Sequence, residues 1–277
     1  MHRLLVAIIA LALAASCASV PGSGEGASVV PLDHLPALKG DYFRHESASV
    51  GRAFHIYVRL PADYSAQPER NYPIVYLLDG DSLFPIVAAS HLFLTYDEQL
   101  PEAIVVGIAY GGFDPSINRR DVDFTLPGAA AFQSLLKTEL IPLVERRYRA
   151  DPARRILFGQ SRGGFFILYS AFTDPDLFWG RIASNLSSDP GRDLFFGPPP
   201  AAARTDLRLI IASGSRDRPR TRDLALEWAR AWERREDAPW AVRLVTIEGG
   251  THSADSARAY RAGMLWLFGL PDPLSPL

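Results

Sequence analysis

The stretch RILFGQSRGG, at residues 155–164, decides the fold of this chain. Its first four residues are typical of a short buried strand, and an apolar segment of helix length follows its last glycines. Between the predicted strand and helix, the pattern Gly-x-Ser-x-Gly centres on Ser161. A serine at such a sharp turn has its hydroxyl exposed at the carboxyl edge of the sheet, and the N-terminus of the next helix points partial positive charge towards it. The stretch therefore predicts a nucleophilic serine at Ser161.

On both sides of this unit, short runs rich in isoleucine, valine and leucine alternate with segments of helix length. The runs lack a clean two-residue alternation, which is typical of strands covered on both faces. The predicted strands are 74–78, 103–109, 155–158, 181–186, 207–212 and 242–247, and the predicted helices are 129–148, 163–172, 221–235 and 254–268. Pro142 predicts a kink in the first of these helices. The alternation predicts an α/β fold with a mostly parallel central sheet and helices on both faces.

A different pattern precedes this region. From Phe54 onwards every second residue is apolar, so that residues 53–60 have the pattern of a strand with unlike faces. Residues 42–48 predict a second strand, joined to the first through residues 49–51. We therefore expect two strands ahead of the alternating region.

The N-terminus has the layout of an export signal. One positive charge is followed by an apolar run over residues 4–15, which is shorter than the ~20 residues that a membrane span needs. The only cysteine, Cys17, ends the stretch LAASC, which resembles the lipobox of bacterial lipoproteins, with Ala14 where that motif usually has Leu, Val or Ile. Ordinary cleavage, for example after Ala18, is the alternative and would release a soluble protein. We expect an exported protein, either a periplasmic or membrane-anchored lipoprotein lipidated at Cys17 or a secreted one.

Length and composition predict one folded domain. The chain has 277 residues, of which 48% are hydrophobic, and this is enough for a sizeable core. We expect a signal over 1–17, a tether rich in Gly, Ser and Pro over 18–40, the domain over 41–270 and a tail over 271–277. A net charge of -2 without a basic stripe argues against a nucleic-acid partner. Contact with a membrane is expected only through the lipid anchor.

The serine needs a base, and His252 is the histidine in the right place. It lies in the stretch GGTHS, directly after the last predicted strand and before the last predicted helix. That loop ends at the same sheet edge as Ser161, and the order serine, acid, histidine along the chain fits. The other histidines are assigned to the signal, the tether, strands or an apolar helical stretch: His2, His34, His45, His55 and His91.

The acid should follow the strand before the last one. Asp217 lies in the loop after strand 207–212, where its carboxylate can orient the imidazole and stabilise the imidazolium. Asp223 is a rival at the start of the next helix, where the helix dipole alone would favour an acidic residue. Glu227 is a third candidate, one turn further on. A serine–histidine pair without an acid also remains open.

Two backbone N–H groups should stabilise the oxyanion. One is that of Arg162, directly after the nucleophile, and the other is expected from the loop after strand 74–78, at Asp81 with Gly80 as the alternative. Asp79 and Asp81 do not indicate a metal site, since neither His nor Cys accompanies them and a glycine-containing turn explains them. No metal and no cofactor is expected.

The mouth of the site is predicted to be cationic. Arg162, Arg216 and Arg218 are expected near it. They are compatible with an anionic substrate or with a solvated rim.

Four stretches together resemble the putative-esterase family of α/β-hydrolases, which includes esterase D, siderophore esterases, feruloyl esterases and mycolyltransferases. The stretches are YPIVYLLDG at 72–80, RDVDFTLP at 120–127, GQSRGG at 159–164 and GTHS at 250–253. The second differs from the usual Arg-x-x-Asp-Phe-Thr-Pro by the inserted Leu126. The resemblance covers about residues 41–270. It implies ester hydrolysis and the serine, histidine and acid positions above, with the siderophore-esterase branch favoured by the Asp-Phe-Thr stretch.

The sequence thus predicts a serine esterase that acts on a small-molecule ester. The acyl group would transfer to Ser161 while His252 moves the proton, and water would then release the acid. Two alternatives remain: an acyltransferase with the same residues, in which an alcohol or sugar replaces water, and a catalytically silent, lipid-anchored binding protein.

Overall fold

The structure is a computed structural model and describes residues 30–32, 35–186, 188 and 191–271. The predicted signal with Cys17, the first part of the predicted tether and residues 272–277 of the predicted tail lie outside the described residues. No helix of the described residues combines the length and the apolar character that a membrane crossing requires.

The described residues form one sheet of nine strands. The strands are β1 Val30–Leu32, β2 Gly40–Ser47, β3 Arg52–Arg59, β4 Tyr72–Leu77, β5 Ile104–Ala109, β6 Ala150–Gln160, β7 Gly180–Ser184, β8 Leu207–Gly214 and β9 Trp240–Ile247. Their spatial order is β1-β2-β3-β5-β4-β6-β7-β8-β9. The pairs among β1, β2, β3 and β5 are antiparallel, and every pair from β5 through β4 to β9 is parallel. The predicted mostly parallel sheet is confirmed.

Helices cover both faces of the sheet, as predicted. They are α1 Gly80–Asp97, α2 Arg120–Asp123, α3 Ala129–Ser134, α4 Ile141–Arg147, α5 Arg162–Thr173, α6 Arg192–Phe195, α7 Pro219–Glu233 and α8 Ser256–Leu267. One core cluster joins the sheet to α3, α4, α5 and α7 and includes Trp228 and Trp232. A second cluster joins the opposite face to α1 and α8 and includes Tyr260 and Met264.

Two local features differ from the sequence predictions. The helix predicted over 129–148 contains a π-helical segment, Leu135–Leu140, which ends two residues before Pro142. A proline lacks the N–H that the carbonyl one turn earlier would accept, so the regular helical bonding is interrupted at this place. Helix α1 differs from the prediction, which placed only an apolar helical stretch around His91 and assigned residues 79–82 to a glycine-containing loop.

The predicted tether reaches too far along the chain. Strand β1 and a short 3-10 helix, Pro36–Leu38, both lie within residues 18–40, and Val30 pairs with Tyr42 of β2. The sheet therefore begins before residue 41. Residues 18–40 are rich in Gly, Ser and Pro, but a three-residue edge strand needs only a few ladder bonds and tolerates Pro31.

Candidate active site

Ser161 lies at the turn between β6 and α5, with φ 59° and ψ −115°. A positive φ is costly for a residue with a side chain, and such strain persists only where the surroundings enforce it. Gly159 shows why the flanking glycines are needed, because a Cβ on it would lie 2.6 Å from the backbone of Gly163. The close approach of strand and helix therefore requires glycine and holds the serine at the carboxyl end of β6.

The structure brings His252 against Ser161. His252 follows β9, and its Nε2 lies 3.0 Å from Oγ of Ser161. Its Nδ1 lies 2.8 Å from Oδ1 of Asp217, which follows β8. Strands β6, β8 and β9 are parallel, so the loops after them meet at one edge of the sheet. The three predicted residues thus form one hydrogen-bonded chain.

Among the three predicted acids, Asp217 is the one in contact with the histidine. Its side chain is fully buried, and its Oδ1 also accepts the backbone N–H of Arg218 at 2.6 Å. Asp223 lies on the exposed face of α7. Glu227 is about half exposed and pairs with Arg192 at 2.5 Å. Both rivals are surface residues of one helix, and neither reaches the imidazole.

The other histidines of the described residues have partners elsewhere. His45 pairs with Glu139 at 2.9 Å, and His55 is 2.7 Å from the hydroxyl of Tyr42. His91 is fully buried, with Nδ1 2.7 Å from the hydroxyl of Tyr260. Burial lowers the pKa of His91 to about 3, so it stays neutral in the folded protein. His2 and His34 lie outside the described residues.

The predicted oxyanion donors lie beside the serine. Ser161, Arg162 and Asp81 line one cavity of about 480 Å³, whereas Gly80 lines the neighbouring pocket. Arg162 and Asp81 each stand in the first turn of a helix, where backbone N–H groups have no helical acceptor. The Asp81 carboxylate accepts the N–H groups of Tyr110 and Gly111 at 2.7 Å each, which fixes this turn against the end of β5. Asp81 therefore remains the predicted second donor.

Asp79 has a partner that sequence reasoning missed. Arg120 binds its carboxylate with both Nε, at 2.6 Å, and Nη2, at 2.9 Å, and also donates to the carbonyl of Gln160 at 3.2 Å. Burial raises the pKa of the Asp79 carboxyl, and the hydrogen bonds and charge of Arg120 oppose this shift. Arg120, the first residue of the stretch RDVDFTLP, was the sequence feature from which this partner of Asp79 could have been predicted. Within the described part of the chain, no group of three His, Cys, Asp or Glu residues could hold a metal ion.

Two arginines line the cavities beside the serine. Arg162 and Arg218 line the cavity of about 480 Å³ and also a second cavity of about 300 Å³, and Ser161 and His252 line both cavities as well. Arg216 lines neither cavity, although its backbone N–H binds the carbonyl of Gly250 at 2.7 Å. Two of the three predicted arginines thus face the site.

The sheet order, the strained serine turn and the serine–histidine–aspartate chain define a protein of the α/β-hydrolase class. Within that class, the chain belongs to the family described as Putative esterase, whose model matches residues 47–273. The resemblance seen in the sequence is confirmed.

Two curated relatives match part of the chain. The ferri-bacillibactin esterase BesA of Bacillus subtilis (strain 168) is 31% identical over 166 residues, which are 51% of this chain and 56% of that protein. The apo-salmochelin esterase of Escherichia coli O6:H1 is 31% identical over 163 residues, which are 50% of this chain and 51% of that protein. The chain thus spans about half the length of the curated relatives that it matches.

Solved structures share the fold. An IroE-like serine hydrolase from Shewanella oneidensis superposes with a TM-score of 0.71 at 24% identity, covering 82% of this chain and 79% of that one. The BES protein from Bacillus cereus superposes with a TM-score of 0.70 at 21% identity, covering 82% of this chain and 93% of that one. At these identities the superpositions show a shared fold and nothing further.

Proposed function

We propose that the protein is a serine esterase with Ser161 as its nucleophile. The observation that carries this proposal is the hydrogen-bonded chain from Ser161 Oγ to His252 Nε2, at 3.0 Å, and from His252 Nδ1 to Asp217 Oδ1, at 2.8 Å. A serine, a base and a buried acid in this order are the arrangement that activates a hydroxyl for acyl transfer. Membership in an esterase family supports the same conclusion.

In the first half of the reaction, Ser161 Oγ attacks the ester carbonyl carbon while its proton moves to Nε2 of His252. The carbonyl oxygen becomes an oxyanion, and the backbone N–H groups of Arg162 and Asp81 are the donors proposed for it. The negative charge of Asp217 stabilises the imidazolium. The intermediate collapses, the carbon–oxygen bond to the alcohol breaks, and the leaving oxygen takes the proton from Nε2.

In the second half, water enters in place of the alcohol. His252 takes one proton from the water, whose oxygen attacks the acyl carbon. The bond to Ser161 then breaks, the proton returns to Oγ, and the carboxylic acid leaves. The reaction consumes one ester and one water and needs no redox partner.

For the substrate, we propose a siderophore-type ester. Both curated relatives named above carry siderophore-esterase names. Arg162 and Arg218 both line the two cavities that contain Ser161. Two such cations next to the reacting carbon suit a substrate that carries negative charge.

The test is a panel of esters assayed with the wild-type protein and Ser161→Ala. The panel contains p-nitrophenyl esters of increasing chain length and a catecholate siderophore ester, with and without iron. We expect hydrolysis by the wild type, loss of more than 95% of the rate in Ser161→Ala, and unchanged unfolding of the variant. A variant that keeps a larger share of the rate would exclude Ser161 as the nucleophile.

Product analysis with an added alcohol or sugar acceptor completes the test. The proposed hydrolase yields the free acid as the main product. Predominant transfer to the acceptor would instead identify an acyltransferase. A wild-type protein that fails to react with a fluorophosphonate probe would indicate a silent binding protein.

A further inference from the structure

We propose that Gln160 and Asn185 form an amide clamp that positions His252 relative to Ser161. This inference rests on the proposed function and adds two positioning residues to it. Gln160 lies inside the stretch GQSRGG that carries the family resemblance, but the resemblance implies no role for its side chain, and Asn185 lies outside all four stretches.

The clamp converges on one backbone atom. The carbonyl oxygen of His252 accepts a hydrogen bond from Nε2 of Gln160 and a second from Nδ2 of Asn185, the latter at 3.0 Å. Gln160 is the residue directly before the nucleophile. The backbone of His252 is thereby bonded to the side chain of the residue next to Ser161.

Asn185 also connects the loop of the acid. Its Nδ2 donates to the carbonyl of Thr251 at 3.0 Å, and its Oδ1 accepts the backbone N–H of Gly214 at 2.7 Å. Gly214 ends β8, three residues before Asp217. Through these bonds, the side chain of Asn185 joins the loop of His252 to the loop of Asp217. Its two amide protons and its oxygen are all hydrogen-bonded within the protein, so it has no donor left for a substrate.

The position suits asparagine in particular. Asn185 is 1% exposed and has φ 47°, a left-handed conformation that asparagine tolerates better than most residues. Its own N–H donates to the carbonyl of Ala212 at 2.8 Å. A residue that is held at a costly φ and fully buried, with its side-chain amide and its backbone N–H all hydrogen-bonded, is fixed by its surroundings.

The loop of the histidine needs external support. It contains Gly249, with φ 70°, and Gly250, and glycines widen the range of backbone conformations that a loop can adopt. The contact between Nε2 of His252 and Oγ of Ser161 is 3.0 Å, so a small shift of the loop lengthens it beyond hydrogen-bond reach. A displacement of about 1 Å at a reacting group can cost roughly 100-fold in rate.

The experiment removes the amide donors of Gln160 and Asn185 and keeps the size of their side chains. Gln160→Met keeps the length of the side chain and deletes its amide. Asn185→Asp keeps the shape and the tolerance for the left-handed backbone, but places an oxygen against the two carbonyls. Gln133→Met is the matched control, because Gln133 is a buried amide of α3 whose side chain makes no hydrogen bond in the described part of the chain.

We expect kcat to fall about 10- to 100-fold in Gln160→Met and in Asn185→Asp, with KM changed less than about twofold, and no change of kcat in Gln133→Met. The double variant should lose less than the product of the two single losses, because both amides hold the same carbonyl. Hydrogen exchange of residues 248–254 should become faster in both clamp variants and stay unchanged in the control.

Clamp variants that are folded and keep kcat within twofold of the wild type would overturn the proposal. So would losses that multiply fully in the double variant, since they would indicate two independent effects. Hydrogen exchange separates this inference from the function on which it rests. If the wild type hydrolyses no ester, the esterase proposal fails, and faster exchange at 248–254 still tests whether the amides hold this loop.

Discussion

The sharpest prediction concerns Asp217, whose carboxylate lies 2.8 Å from Nδ1 of His252 and is fully buried. In Asp217→Asn, the backbone N–H of Arg218, now 2.6 Å from Oδ1, favours keeping the amide oxygen on the same side. The imidazole would then keep an acceptor but lose the negative charge that stabilises its protonated form. At an effective dielectric constant of 20, two unit charges about 4 Å apart interact by about 4 kcal/mol.

A loss of about 4 kcal/mol corresponds to roughly 10³-fold in kcat. If the amide turns its NH₂ group towards the histidine instead, the wrong tautomer forms and the loss rises to about 10⁴-fold. We therefore expect kcat of Asp217→Asn to be about 10³- to 10⁴-fold lower, measured with an activated ester at saturating concentration. KM should change little, because the carboxylate does not line the cavities beside Ser161.

Two rivals serve as controls on the same helix. Asp223→Asn alters an exposed charge, and its effect on stability should stay below about 1 kcal/mol. Glu227→Gln breaks a solvent-exposed pair with Arg192, and such pairs contribute little to stability. Both should keep kcat within twofold of the wild type. A rate of Asp217→Asn within tenfold of the wild type, or a larger loss in either control, would refute the assignment of the acid.

Two further predictions concern stability and location. Burial lowers the pKa of His91 to about 3 in the folded protein, whereas the unfolded chain takes up this proton near pH 6.5. The contribution of the neutral, buried His91 to the free energy of unfolding is therefore fully present above pH 6.5 and is lost as the pH falls towards 3. In urea unfolding, the stability advantage of the wild type over His91→Gln should shrink by about 2 kcal/mol between pH 7.5 and pH 5, and a constant difference would contradict this. Cys17→Ser should release the protein from the membrane fraction of its host. Unchanged fractionation, without a lipid mass on the N-terminal peptide of the wild type, would exclude the anchor.

Much of the fold could be predicted from local patterns. Buried parallel strands appear as continuous apolar runs, and all six runs predicted after residue 60 coincide with strands of the sheet. The start of helix α1 was harder to predict from the sequence, because a glycine at position 80 is typical of a turn. In the structure Gly80 is required for packing, since a Cβ there would lie 2.8 Å from the backbone nitrogen of Ile108. Strand β1 was missed because three residues carry too little periodicity to predict a strand.

The sequence by itself determined the places of Ser161 and His252. Each follows a strand that its own apolar run identifies, and parallel strands deliver the residues after them to one edge of the sheet. A local pattern was enough because both residues are fixed by the ends of secondary-structure elements.

Only the tertiary structure decided which of the candidate acids contacts His252 and which side chains bind the backbone of His252. Asp217 and Asp223 are six residues apart in similar polar surroundings, and the difference is that one is buried against the imidazole while the other faces solvent on α7. Gln160, the last residue of β6, and Asn185, directly after β7, meet at one carbonyl. Contacts between residues distant in the chain depend on how strands are ordered and how loops pack, and no sequence period encodes them.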